Sequence, residues 1–328
     1  ARAAGQPCVL AGDVVICKVD LAMIHDSGGP RRVKPMLERL GRRVWDRDRV
    51  VVVTDHYVPA DTEETRAIQA LTRQWVRDEE IANFYDQQGI CHVVLPERGH
   101  LSPGMFCVGG DSHSPTGGAF GAYMFGIGAT EMAGVLATGE IWLRVPETIL
   151  IQWNNSLGAC VTAKDMMLAV CGEIGMGGGR YQAIQYAGTA IRNLSMQERM
   201  TMSNMAAELG AQAGLIAPDE ITADYVRAAG GMLAEDWADY AIEAADKPED
   251  HLTFDAAELA PQIAAPHSPA NAADAAEFEN TKFDVAYIGA CTGAKYVDLA
   301  AAASVLKGRR IASGITLKVA PASKQDQD

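Results

Sequence analysis

Asp111, Ser112 and His113 stand side by side where the apolar pair Cys107-Val108 gives way to a glycine-rich stretch. Seven glycines fall between Gly109 and Gly128, enough for tight turns and for close approach of backbone to a ligand. An acceptor, a hydroxyl and an imidazole at one turn suit a capped loop as well as a reactive site. A serine hydrolase does not fit, because neighbouring Ser112 and His113 diverge and the stretch lacks a Gly-x-Ser-x-Gly elbow.

More imidazoles and carboxylates gather in the same part of the chain. Five of the seven histidines precede residue 114. Asp55 and His56 follow the run Val50 to Val53, His92 lies in the run Cys91 to Leu95, and His25-Asp26 leads into Ser27-Gly28-Gly29-Pro30. A histidine oriented by a carboxylate is the usual way to build a general acid or base near neutral pH. Further along, Asn204 and Glu208 share one face of an expected helix at i, i+4 spacing, as a solvated edge or as a site face. Cys291 sits at a strand-to-helix turn, where a helix N-terminus favours the thiolate that binds metal; a small buried cysteine is the plain alternative.

The elements that position these groups read as α/β. The β-branched run Val50 to Val53 marks a strand buried on both faces of a parallel sheet, and it delivers Asp55 and His56 at its carboxyl end, where ligands of open α/β sheets gather. Strands are also expected within Val9 to Asp20, at Cys91 to Leu95, Thr148 to Trp153, Phe283 to Gly289 and Ile315 to Val319. Helices are expected over Asp61 to Phe84 with Asp61 as N-cap, over Ala163 to Ile174, from Ser195 to about Ala211 with Glu198 completing a capping box, and from about Tyr296 to Leu306. Pro248 to Asn280, rich in Ala, Pro, Asp and Glu, reads as a linker or surface excursion.

At 328 residues and 48% hydrophobic, the chain can bury one large or two moderate cores. A net charge of -14 argues against a nucleic-acid surface, so an anionic substrate must be gathered by local positive groups. No apolar run reaches membrane-span length and no signal segment opens the chain. Seven cysteines without paired spacing suit reduced thiols in a cytoplasmic protein.

The segment Gly-Asp-Ser-His-Ser-Pro-Thr-Gly-Gly-Ala-Phe-Gly, followed by Phe-Gly-Ile-Gly-Ala-Thr-Glu and Val-Leu-Ala-Thr-Gly, closely resembles the signature of the aconitase superfamily, nearest to the large subunits of 3-isopropylmalate dehydratase and homoaconitase. The resemblance runs from about Val14 to Pro321. It implies three-layer α/β/α domains with mostly parallel sheets: residues 1–247 carrying the His/Asp site, 248–281 as the excursion, and 282–328 as the start of a further α/β domain with Cys291. It also implies a [4Fe-4S] cluster acting as Lewis acid on a hydroxy-carboxylate substrate. By position Asp55 and His56 match the family's pair whose histidine protonates the leaving hydroxyl, and His92 with Asp111 match its second such pair. Ser112, His113 and His25 match groups lining the substrate, and Asn204 with Glu208 match Asn-Met-x-x-Glu-x-Gly, which turns the reading of that face towards the site.

Cys291 in Ile-Gly-Ala-Cys-Thr-Gly-Ala-Lys resembles the first cluster ligand of Gly-Ser-Cys-Thr-Asn-Gly-Arg, with Ala290, Gly293 and Lys295 departing from that pattern. The family's other two cluster cysteines form a downstream Cys-x-x-Cys that this chain does not contain, so the chain is expected to be part of a longer protein. In the isopropylmalate branch the swivelling domain with the catalytic base is a separate small subunit, which is the implied partner. The expected function is a hydro-lyase that dehydrates, and can rehydrate, a 2-hydroxy di- or tricarboxylate. Two rivals remain: a mononuclear-metal hydrolase using Asp55, His56, His92, Asp111 and His113, and a cluster-less binding or regulatory homologue.

Overall fold

A computed structural model describes residues 1–241 and 250–327. Its centre is a five-stranded, all-parallel sheet in the order Phe84–Asp86, Val50–Thr54, Leu21–His25, Phe106–Gly109, Tyr123–Gly126. Successive side chains of a strand face opposite ways. Ala22, Ile24, Val50 and Val52 therefore pack on one side with Val33, Leu37, Trp75 and Met132 from three helices. Leu21, Met23, Val51 and Val53 pack on the other with Val93, Leu95, Phe120 and Met200. Both faces are covered, which is why Val50 to Val53 carries no polar alternation.

The chain leaves the Leu21–His25 strand to build one side of the sheet and returns to build the other. The carboxyl ends of Leu21–His25 and Phe106–Gly109 thus flank a topological switch point, the place where such sheets form a crevice, with Val50–Thr54 beside it. A second parallel sheet orders Ala213–Ile216, Ala183–Ala187, Thr148–Asn154 and His251–Asp255, with its own core around Trp153, Met167 and Tyr186. Val285–Ile288 and Thr316–Val319 pair in parallel across the helix Tyr296–Leu306.

Glycine is required where neighbouring segments leave no room for a Cβ. A Cβ on Gly118 would lie 1.9 Å from the Gly214 carbonyl oxygen, and one on Gly109 would lie 1.9 Å from the Ser114 hydroxyl. The glycine-rich stretch is thereby pressed both onto its own turn and onto the second sheet.

Several expectations are corrected. Cys91 to Leu95 is the helix Cys91–Glu97, not a strand; nearly all of it is buried, so its apolar run has no period with which to distinguish the two. The helix expected over Asp61 to Phe84 is Glu63–Asp78, capped by Thr62 with Thr65 rather than by Asp61 with Glu64; Phe84 opens an edge strand instead. The capping box of Ser195 and Glu198 is present, but its α-helix ends at Asn204 and tightens into a 3-10 turn over Met205–Ala207. Within the stretch read as a linker, His251–Asp255 completes the second sheet and Gln262–Ala264 pairs with Ala272–Asp274. The expected boundary at residues 247 and 248 lies outside the described residues.

Candidate active site

Three strand ends, one helix and one 3-10 turn bring the singled-out residues together around the Asp111 carboxylate. Asp111 follows the Phe106–Gly109 strand, and its Oδ1 meets His92 Nε2 at 2.7 Å. The same oxygen accepts the His113 backbone N–H at 2.8 Å. Oδ2 faces His56 Nε2 at 3.6 Å and His25 Nε2 at 3.9 Å. Burial alone would raise the carboxyl, but His113, His56 and His92 outweigh it and hold Asp111 far below the usual carboxylate range. A permanently ionised acceptor at the centre of four imidazoles is the result.

The four imidazoles are not equivalent. His56 Nδ1 lies 2.8 Å from Asp55 Oδ1, while Asp55 Oδ2 accepts the Cys91 backbone N–H at 2.7 Å. Asp111 first and Asp55 next raise His56 to about 10 against its burial. His56 is therefore an imidazolium at neutral pH, held between two carboxylates. Its ring stacks on His25 with centroids 3.9 Å apart and planes 11° from parallel.

His25 is driven the other way, lowered by burial first and by the neighbouring His56 second. Its Nδ1 receives the Ser27 and Gly28 amide N–H groups at 3.2 and 3.4 Å, so Nε2 carries the proton and donates to the Gly110 carbonyl at 2.9 Å. His113 is raised, chiefly by Asp111 and then, against burial, by Glu208, whose Oε1 lies 3.2 Å from Nε2. Ser112 Oγ sits 3.2 Å from His113 Nδ1. Side-chain exposure divides the group: His25 and His92 are 5% exposed, whereas His56 and His113 are 37% and 32% exposed. A ligand would meet His56, His113 and the exposed Ser112 hydroxyl.

Asn204 and Glu208 face the site from the second sheet's side, which removes the solvated-edge alternative. The buried Asn204 amide donates to Thr116 Oγ1 at 2.8 Å and to Cys291 Sγ at 3.2 Å. Burial pushes the Cys291 thiol up, outweighing the Asn204 amide and Lys295 ammonium that favour the thiolate. Desolvation, rather than the expected pull of the following helix, controls this sulfur. Lys295 is itself buried, donating to Thr201 Oγ1 and to the Cys291 carbonyl, each at 2.9 Å.

Sequence reasoning missed Asp26 and Thr116. Asp26 is adjacent to His25, and its wholly buried carboxylate accepts three backbone N–H groups from the His56 loop. Thr116 links Asn204 to the His113 carbonyl, which it reaches at 2.7 Å. Adjacency to a singled-out histidine was the one available sign of Asp26; Thr116 lay inside the quoted signature without a distinguishing feature.

Two metal-holding arrangements can be tested against the donors. His25, Asp26, Asp55 and His56 offer ligand atoms within 4.8 Å of one another. Those atoms already serve internal hydrogen bonds, and His56 carries a proton, so a cation would have to displace a satisfied network. For a [4Fe-4S] cluster, Cys291 fits as one thiolate ligand beside the substrate-facing groups. The described residues do not supply the remaining thiolates in one group with it, so they do not by themselves build the cluster's cradle.

Comparison with known proteins finds relatives over nearly the whole chain. A family model described as Aconitase family (aconitate hydratase) matches residues 6–281 and 271–328. The 3-isopropylmalate dehydratase large subunit 1 of Methanopyrus kandleri is 43% identical over 328 residues, 99% of this chain and 77% of that protein. A probable methanogen homoaconitase large subunit of Methanothermobacter thermautotrophicus is 40% identical over 333 residues, 99% of this chain and 76% of that protein. The large subunit of Moorella thermoacetica 3-isopropylmalate dehydratase is 37% identical, with 98% and 76% covered.

Proposed function

The chain belongs to the aconitase family, whose members are hydro-lyases, and from that premise we propose that it removes water from a 2-hydroxy dicarboxylate or tricarboxylate such as isopropylmalate, as the large subunit of a two-part enzyme. The observation that carries the reading is the placement of His56 between the Asp55 and Asp111 carboxylates, 2.8 Å from one and 3.6 Å from the other, which raises the imidazole to about 10. Hydroxide is a poor leaving group, and a strong network that keeps an exposed imidazole charged at neutral pH is an acid looking for such a group.

His56 gives its proton to the departing hydroxyl, so that water leaves. Asp55 orients the ring through Nδ1 and balances its charge, and His25 covers one ring face. Asp111 holds His92 and His113 in fixed orientations, and Ser112 and His113 contact the substrate's polar groups. Glu208 fixes His113 from the second sheet's side. Cys291 would be one ligand of a [4Fe-4S] cluster, which would supply Lewis-acid chemistry at the site.

The other proton, on the carbon next to a carboxylate, needs a base. The relatives' names as large subunits support a separate small subunit as its source. Homoaconitase and isopropylmalate dehydratase relatives match at similar identity, so the choice of hydroxy acid is an experimental question.

The test is to combine the purified chain with a small subunit, reconstitute with iron and sulfide, and offer a panel of isopropylmalate, homocitrate, citrate and methylated malates. Formation of the unsaturated acid from one of them is expected. Stoichiometric zinc with hydrolytic activity, or ligand binding with no elimination from any acid, would replace the reading by one of its rivals.

A further inference from the structure

We propose that Asp26 is a positioning residue for His56, its carboxylate clamping the backbone of the loop that carries the imidazole. The catalytic consequence rests on the hydro-lyase reading; the clamp itself does not. Asp26 Oδ1 accepts the backbone N–H groups of Asp55 and His56 at 3.4 and 3.1 Å, and Oδ2 accepts that of Tyr57 at 3.3 Å. Three successive amides converging on one anion form a nest of the kind that normally binds a phosphate or carboxylate ligand. Here the anion is a side chain of a neighbouring strand end.

Its surroundings make that clamp strong. The Asp26 side chain is 0% exposed, so no water competes for its oxygens, and a desolvated carboxylate is costly unless such donors meet it. The Asp26 amide in turn donates to the Val53 carbonyl at 3.1 Å, closing the link between the two strand ends in the other direction. His56 Nδ1 lies 4.0 Å from Asp26 Oδ1, beyond hydrogen-bond reach, so Asp26 acts on the loop and leaves Nδ1 to Asp55.

The consecutive residues His25 and Asp26 thus constrain His56 from two directions. His25 lies flat against the ring, and Asp26 holds the main chain beneath it. Without the clamp the loop after Val50–Thr54 would be free to shift while the sheet stayed intact. A displacement of about 1 Å in a proton donor can cost roughly 100-fold in rate.

The test compares wild type with Asp26→Asn and Asp26→Glu. In the reconstituted complex, Asp26→Asn is expected to lower kcat by roughly 100-fold with KM within about twofold, and Asp26→Glu, which keeps the anion, to recover part of that loss. In the chain alone, ring 15N signals of labelled histidines should move for His56 and stay in place for His251, a residue of the second sheet. Wild-type kcat with unmoved His56 signals in folded Asp26→Asn would overturn the proposal, as would a raised KM alone. Should Asp26→Asn fail to fold, hydrogen exchange of the wild-type chain decides: slow exchange at the Asp55, His56 and Tyr57 amides supports the clamp, and fast exchange there overturns it. The ring signals and amide exchange need no turnover, so a failure of the hydro-lyase reading would not be mistaken for a failure of the clamp.

Discussion

At residue scale the site works by driving neighbouring imidazoles apart. His56 and His25 stack, yet His56 is raised to about 10 while His25 is lowered. A group whose folded value exceeds its unfolded value contributes stability in full below the unfolded value, here 6.5, and loses it as pH climbs through about 10. The His56 ring is 37% exposed, so solvent screening makes that contribution small, and its interest is catalytic. Histidine ring signals followed against pH should show His56 keeping its proton up to about 10 and His25 losing its proton below the ordinary histidine value. Asp111→Asn removes the charge that leads both the His56 and the His113 shifts, so both should titrate earlier and turnover should fall by about 100-fold or more. His56 titrating ahead of His25 would contradict the assignment of the acid.

The residue types of this site were legible because they interrupt apolar runs: Asp55-His56 and Asp111-Ser112-His113 announce themselves. Their division of labour was not, since it depends on which nitrogen faces which oxygen. Asp26 shows the limit well. Nothing in its sequence position reveals that three amides from a loop after a different strand end on it.

At the scale of elements, the helix Cys91–Glu97 carries His92 at one end and Glu97 at the other. Glu97 Oε1 accepts the Ser323 hydroxyl at 2.7 Å, and Asp326 Oδ2 lies 3.2 Å from Ser323 Oγ. Burial raises Glu97 to about 7, against the Ser323 hydrogen bond, with Asp326 adding to the rise and Arg98 opposing it. The folded value lies above the unfolded 4.5, so the contribution of Glu97 to stability is greatest below 4.5 and declines as pH rises through about 7. Glu97→Gln should therefore raise Tm at pH 8 and lose that advantage by pH 4; an equal effect at both would rule out the titration as its cause.

A second element-scale prediction concerns Gly118, where an added Cβ would strike the Gly214 carbonyl oxygen at 1.9 Å. Both partners are backbone, so Gly118→Ala should destabilise the chain by about 1–3 kcal/mol in denaturant unfolding. A neutral substitution would mean that the glycine-rich turn and second sheet do not meet as described. These contacts explain what was readable in the elements. Val50–Thr54 was legible because both its faces are buried, whereas the helix Cys91–Glu97 was hidden by the same uniform burial. The strand His251–Asp255 was hidden because its five residues lie in an Ala- and Pro-rich stretch.

At the scale of the molecule, the Ala213–Ile216 strand at the edge of the second sheet packs on the glycine-rich turn, and the site takes side chains from both sides of that junction. The family, and with it this architecture, was legible in the signature around Asp111. Among the described residues no helix is long and apolar enough to cross a membrane. The chain spans 77% of its Methanopyrus kandleri relative, and Cys291 is the thiol it places beside Asn204. Across these scales the proposed acid of the dehydration is the imidazolium of His56.

The most direct measurement is the turnover of His56→Ala against wild type in the complex reconstituted with a small subunit, iron and sulfide, with thermal unfolding as a check on the fold. Loss of elimination by roughly 100-fold or more with unchanged unfolding is the predicted result. Near-parental turnover in a properly reconstituted, folded complex would contradict it, and the proton for the departing hydroxyl would then have to come from elsewhere.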